Sequence, residues 1–591
     1  MRRSLSALAC LACMVSTVPA VAQVVPDSAL IRLSFDTRVP MRDGKTLSAT
    51  LYRPRDQVGP APCVISITPY IADAYHIRGT YFAARGLPFL MVNSRGRGDS
   101  DGTFQPFEGD GRDGYDAVEW LAAQPYCNGK VAMWGGSYGG FNQWATARES
   151  PPHLATIVPV ASPYFGADAP GRSNIPINYM LQWMLYTKGR TVQTNAFADP
   201  GYWNAIWRER FETGKSFATL ADQPDHREPL LKEWAAHPHM DAYWDRKNPT
   251  AAEYRAMAIP ILTITGSYDD DQPGTIAHYR AFMAAASPED RARHYLVIGP
   301  WDHTGTRTPK PDYGGVPFGA ESLVDLPALH VDWYRWTMAG GAKPAFLKKR
   351  VAWYVMGANR WRYADSLDAV TAEHKPFYLD STANADRVLG SGRLDPAAPG
   401  QGRPDSYAYD PRDVSLAGLE ASLDQSSLVD QRLVLARDGK QLVYHSAPFD
   451  KPTEVSGFFR FSAWISIDQP DTDFQASVYE ITPDGGSILL SMDYLRARHR
   501  ESLRTEKLVT TTAPLRYDFD RFTFVSREVA AGSRLRLVIA PVNSIHLQKN
   551  YNAPGPVAMQ TIADARTATV RLLHDRAHPS ALFVPIGRVG D

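Results

Sequence analysis

Apolar runs of strand length, bounded by Gly, Pro, Asn and Asp, alternate with stretches of helical period through the first half of this chain. Residues 64–68, 89–93, 131–136, 259–266 and 294–300 are almost continuously apolar, the pattern of strands buried on both faces of a parallel sheet. Residues 113–123 read as an amphipathic helix just before the third of these runs. The resulting β-α-β order is that of a doubly wound α/β sheet. Ahead of it, alternation over 33–54 around Asp43-Gly44 predicts a β-hairpin.

After Val160 the pattern changes. Residues 177–186, 202–211 and 229–236 read as aromatic-rich helices inserted between two parts of the sheet, where they would cap it. Any single aromatic there is weighted toward packing rather than ligand contact. Beyond about Ala364 short strands (458–467, 474–481, 535–539, 567–573) are separated by Gly, Pro and Asp turns, the texture of a β-sandwich. The Gly/Pro-rich stretch 389–413 reads as a long surface loop. The predicted organisation is a leader (1–22), an α/β domain in two parts (23–160 and 255–364) around a helical cap (161–254), and a C-terminal β domain (365–591).

Candidate chemistry sits where the strands end. Gly135-Gly136-Ser137-Tyr138-Gly139 follows an apolar strand and opens a helix, so it would present Ser137 on a sharp turn as a nucleophile. The run 259–266 leads directly to Asp269, and the run 294–300 leads to His303 in Trp301-Asp302-His303. Carboxyl ends of strands are where open α/β sheets place their sites. The order Ser, Asp, His is that of an α/β-hydrolase triad. Serine needs a base to take its proton, which His303 would supply, and Asp269 would fix the imidazole tautomer. For the oxyanion, the backbone N–H of Tyr138 is one donor, and the phenol of Tyr70, at the end of 64–68, is a second.

Those residues, with Thr68-Pro69-Tyr70, the segment 94–102, Asp113-Gly114-Tyr115-Asp116, Gly299-Pro300-Trp301-Asp302-His303 and Pro470-Asp471-Thr472-Asp473-Phe474, make the chain resemble the family of cocaine esterase, α-amino-acid ester hydrolases, glutaryl acylases and Xaa-Pro dipeptidyl-peptidases. The resemblance implies an α/β-hydrolase domain with an inserted helical cap and a C-terminal jelly roll. It also implies an oxyanion hole from the Tyr70 hydroxyl and the backbone after Ser137, and hydrolysis without metal or cofactor.

Composition narrows the partners. The 63 basic and 63 acidic residues balance, and removing the leader takes Arg2 and Arg3 and no acid, so no nucleic-acid partner is implied. Arg2-Arg3, an apolar stretch to Val15 and Ala20-Val21-Ala22 form the pattern of a secretory signal peptide, too short to span a membrane, which predicts a periplasmic or extracellular protein. Of the four cysteines, Cys63 and Cys127 remain after processing and read as two buried thiols, although export would permit a disulfide. His237-Pro238-His239 has no accompanying ligands of metal spacing.

Substrate choice rests on less. In α-amino-acid ester hydrolases two carboxylates just after the triad acid, with a third from the early cap, bind the substrate ammonium. Here the stretch is Asp269-Asp270-Asp271-Gln272: Asp271 would keep one carboxylate, Gln272 replaces the other, and 171–174 is where the third is sought. Arg172 there would instead favour an acidic acyl group. The sequence therefore predicts a secreted serine hydrolase of small esters or amides. Xaa-Pro dipeptide release, β-lactam acylase or acyltransferase activity, and a non-catalytic binding role stand as alternatives; a homo-oligomer is compatible with all of them.

Overall fold

The computed structural model describes residues 26–223 and 226–588. The leader read over 1–22 lies outside them. Ten strands form the first sheet: β1 (Ile31–Pro40), β2 (Thr46–Pro54), β3 (Ala61–Thr68), β4 (Phe89–Asn93), β5 (Cys127–Gly136), β6 (Leu154–Val160), β7 (Ile261–Tyr268), β8 (His294–Asp302), β9 (Val351–Val355) and β10 (Arg360–Ala364). Their order is β1-β2-β4-β3-β5-β6-β7-β8-β9-β10. Pairing is parallel from β4 across to β9 and antiparallel at both margins.

Alternation along β5 explains why its sequence is apolar throughout. Ala132 and Trp134 join a core with Phe82, Leu329 and Trp333, from helices His76–Ala84 and Leu326–Ala339 on one face. Val131 and Met133 join Val118, Trp144 and Phe282, from helices Asp110–Ala122, Tyr138–Arg148 and Gln272–Ala285 on the other. A strand covered on both faces has no polar phase to show.

Three histidines are sealed in this domain. His278 stacks on Trp144 with centroids 4.8 Å apart and hydrogen-bonds Tyr254, His294 meets Thr263, and His330 meets the Leu326 carbonyl. Burial holds His278 and His294 down to about 3 and His330 to about 4. Because the fold favours their neutral form, the stability they contribute is complete above pH 6.5 and is lost as pH falls toward 3–4. Each should add about 1.4 kcal/mol per pH unit to the acid slope of unfolding free energy. Urea titrations from pH 7 to 4 should show this, with a shallower slope for His294→Gln; an unchanged slope would count against it.

Between β6 and β7 lies the cap, whose helices include Tyr179–Tyr186, Pro200–Thr213 and Pro229–Ala235. Its aromatics are chiefly core: Trp183, Trp203, Trp207, Trp234 and Trp244 pack with Phe107, Tyr138 and Phe141 from the α/β domain.

After β10 the chain enters a second, β-rich domain of thirteen strands, from Thr371–Asp380 to Ala581–Gly587, around Phe461, Ile465, Phe474, Val478, Leu537 and Leu582. The segment read as a surface loop contributes two of them: Arg393–Asp395 pairs with residues 378–380 and 445–446, and Asp405–Tyr409 pairs with Ala568–Leu573. Buried Leu394, Tyr407 and Tyr409 hold these strands, which are too short and too distant from their partners for a local pattern to reveal.

The domains are joined by backbone and by buried charge. Met356 N–H donates to the Ser526 carbonyl at 3.0 Å and Glu528 N–H to the Met356 carbonyl at 2.8 Å. Asp473 receives Arg496 through two hydrogen bonds of 2.8 Å, Asp471 receives Arg498 at 2.7 Å, and Asn550 donates to both carboxylates. Arg496 then donates to the Asn174 carbonyl of the cap at 2.9 Å. Cys63 and Cys127 are both buried and unbonded as a disulfide. No helix of the described residues is long and apolar enough to cross a membrane.

Candidate active site

Ser137 stands between β5 and helix Tyr138–Arg148 at φ 59°, ψ −126°, a left-handed conformation that a non-glycine residue holds only at a cost. Close packing enforces it: a Cβ at Gly140 would strike the Val160 carbonyl at 2.6 Å, and one at Gly135 would meet the Gly139 carbonyl at 3.0 Å. Ser137 N–H donates to the Val160 carbonyl at 3.0 Å, which ties the turn to β6. Tyr138 is the first helical residue, and first-turn amides have no partner within their own helix. The Tyr138 phenol is engaged elsewhere, donating to Asp110 at 2.9 Å and accepting from the Phe107 amide at 2.7 Å.

Register brings the next pair together. Parallel pairing sets Gly266 beside Gly299 and, after an irregularity, Tyr268 beside Asp302, so Asp269 and His303 leave β7 and β8 side by side. His303 Nδ1 lies 2.7 Å from Asp269 Oδ1, and the other carboxylate oxygen accepts from Thr265 at 2.8 Å. The Asp269 side chain is fully buried, whereas that of His303 is 27% exposed. Asp302 fixes the histidine loop by accepting from Gly305 N–H and the Thr304 hydroxyl, both at 2.8 Å.

Tyr70 lies opposite. Its hydroxyl is 3.4 Å from Ser137 Oγ, and burial pushes its pKa up, so it stays a protonated donor. Trp183, from the cap, donates its indole N–H to the Tyr70 oxygen at 3.0 Å while its ring stacks on Tyr138. Tyr186 stacks on Tyr70 at 5.7 Å. With Trp183 on one lone pair, the phenol proton is free to point toward Ser137, and either hydroxyl can donate across the 3.4 Å. Nothing in the sequence distinguished Trp183 from the other cap aromatics, because its role depends on a tertiary contact.

Asp271 Oδ2 is 3.8 Å from His303 Nδ1, and burial beside Asp168 and Asp269 lifts its carboxyl well above the usual range. Burial likewise raises Asp168 to about 7; its two oxygens accept from Tyr164 and Gly274 amides at 2.8 and 2.7 Å. Asp168, rather than a residue of 171–174, is thus the cap carboxyl near Asp271. Gln272 is a domain staple: its side chain donates to the Gly266, Ser267 and Phe524 carbonyls and accepts from Phe524 N–H at 2.7 Å. Arg172 turns to the β domain, where Nη2 donates to the Met492 and Arg521 carbonyls at 2.8 Å and the guanidinium lies over Tyr494. Those contacts occupy the group that the sequence offered to an acidic acyl chain.

Two family models match in chain order: the X-Pro dipeptidyl-peptidase (S15 family) over residues 43–305, and the X-Pro dipeptidyl-peptidase C-terminal non-catalytic domain over 346–582. The chain belongs to this S15 family. Among curated relatives, the S15 chain is 28% identical to a cocaine esterase of Rhodococcus sp. (strain MB1 Bresler), over 94% of its own length and 98% of that protein's. Solved structures share the S15 fold end to end: an α-amino acid ester hydrolase (TM-score 0.80, 20% identity, 97% of this chain and 100% of that one) and an aminopeptidase from a marine sediment Thaumarchaeota archaeon (0.79, 22%, 97% and 99%). The protein is a serine hydrolase of that family.

Proposed function

We propose that the protein cleaves small esters or amides through an acyl-enzyme on Ser137. The observation that carries this reading is the convergence at one sheet edge of a strained Ser137, the Tyr70 hydroxyl 3.4 Å from its Oγ, and the Asp269–His303 pair at 2.7 Å. His303 takes the serine proton as Oγ attacks the carbonyl and returns it to the leaving group; Asp269 holds the imidazole tautomer. The Tyr70 hydroxyl and Tyr138 N–H receive the oxyanion. The side-chain partner of Ser137 Oγ in this resting geometry is Tyr70, and the Ser–His bond forms as substrate seats, a common tightening on complex formation. Export to the periplasm or medium, read from the leader, belongs to the same proposal.

A second reading, release of Xaa-Pro dipeptides, draws on the family match and on the acidic pair Asp168 and Asp271 as receptors for a substrate ammonium. One panel separates them: a neutral p-nitrophenyl ester, an α-amino ester, a glutaryl amide and a Gly-Pro anilide, together with fluorophosphonate labelling. Labelling confined to Ser137 with ester turnover supports the first reading, and preference for the anilide the second. No label and no turnover would leave only a binding role. Tyr70→Phe should lower kcat about 10²–10³-fold with little change in KM, the usual effect of removing one oxyanion donor; an unaltered kcat would remove Tyr70 from the mechanism.

A further inference from the structure

One acid close behind the nucleophile turn has no part in the acyl transfer. Asp110 opens helix Asp110–Ala122, after Gly109 has turned the chain at φ 80°. Its Oδ2 accepts the Tyr138 phenol proton at 2.9 Å, and the phenol oxygen accepts from the Phe107 amide at 2.7 Å. Phe107 itself holds φ 63°, a strained backbone that presents this amide. Two hydrogen bonds therefore pin the far end of the side chain whose own backbone N–H is assigned to the oxyanion.

The ring carries the contact onward. Tyr138 stacks on Trp183 with centroids 5.7 Å and planes 16° apart, and Trp183 donates to the Tyr70 oxygen at 3.0 Å. Phe107 packs on both rings, 4.7 Å from Tyr138 and 5.4 Å from Trp183. A continuous path thus runs from Asp110 through Tyr138 and Trp183 to Tyr70. It also bears on the strained turn: relaxation of Ser137 from φ 59° would rotate the peptide plane that carries the Tyr138 N–H, and a ring held at its tip and along its face resists that rotation. Burial lifts the Asp110 carboxyl to about 8, with the hydrogen bond from Tyr138 the largest opposing influence. Protonated on its other oxygen, the acid still accepts at Oδ2, so the contact does not require the charge.

We propose that Asp110 is a positioning residue of the oxyanion hole, holding both donors, the Tyr138 amide and the Tyr70 hydroxyl, in register through the Tyr138 ring. This deepens, and rests on, the Ser137 reading.

The test uses the fact that Asp110 lines a cavity of about 370 Å³, with Ser94, Arg95 and Arg112, that has room for a small carboxylate. Asp110→Ala should lower kcat on p-nitrophenyl acetate about 10- to 100-fold with KM changed by less than about threefold, the scale of a small misplacement of reacting groups, and should slow fluorophosphonate labelling of Ser137 in parallel. Asp110→Asn, which keeps an acceptor, should retain most of the activity. Sodium formate, but not sodium chloride, should restore part of kcat to Asp110→Ala and do nothing for wild type or for Tyr138→Phe, which lacks the phenol. The double variant Asp110→Ala with Tyr138→Phe should be no slower than Tyr138→Phe alone, since each removes the same contact. Full kcat in Asp110→Ala, a loss that neither formate nor the asparagine repairs, or losses that add in the double variant would each overturn the proposal while Ser137 still labels in wild type. A wild type that neither labels nor turns over would overturn the Ser137 reading and this one with it. Were Asp110→Ala not to fold, Tyr138→Phe carries the same test: its kcat should fall by a similar factor at nearly constant KM, and an unaltered kcat would overturn the proposal.

Discussion

Ser137→Ala is expected to lower kcat/KM on every ester in the panel by about 10⁴-fold or more, since the oxyanion donors and the binding site remain but no acyl-enzyme forms. Ser137→Gly should be as inactive and, in addition, more stable. The native serine holds φ 59°, ψ −126°, a region glycine enters freely, and releasing such strain returns about 1 kcal/mol. Paired activity and urea-unfolding measurements would check both. Stability gained together with activity lost would mean that the strain belongs to the chemistry. Activity within tenfold of wild type would remove Ser137 as the nucleophile.

Asp473→Ala should be the most damaging single change to stability, about 3–5 kcal/mol, because it leaves Arg496 charged and buried with its side chain only 2% exposed. Arg496 also donates to Gln548 and to the Asn174 carbonyl, so the loss would reach the cap. The double variant Asp473→Ala with Arg496→Met should recover a large part of the loss, since a buried pair replaced by apolar groups is often neutral. If the double variant were no better than the single one, hydrogen bonding to Asn174 and Gln548, rather than the unpaired charge, would account for the cost. Chemical denaturation monitored by tryptophan fluorescence distinguishes the two.

The α/β core was legible because strands covered on both faces leave uninterrupted apolar runs, as in β5, and because the Gly-x-Ser-x-Gly turn has strict steric needs. The positions of Asp269 and His303 followed from strand ends, which one register then set side by side. What escaped depended on tertiary contact. The strands Arg393–Asp395 and Asp405–Tyr409 are defined by distant partners, and Gln272 looked like a lost carboxylate although it bridges two domains. Arg172 illustrates the same limit: only the carbonyls that receive its guanidinium show that it serves a contact with the β domain.

In the proposed mechanism, the indole of Trp183 on the Tyr70 oxygen would give the cap a share in timing. If that helix shifted outward, Ser137, His303 and Asp269 would keep their places on the sheet, while the Tyr70 phenol would lose the donor that orients it and Tyr138 the ring stacked on it. An open enzyme would then admit and release ligands without turning them over, and commitment to reaction would come only on closure. Access and chemistry would be separated by a single hydrogen bond, so a thiol-reactive or fluorescent reporter on the cap should follow the same rate as product formation.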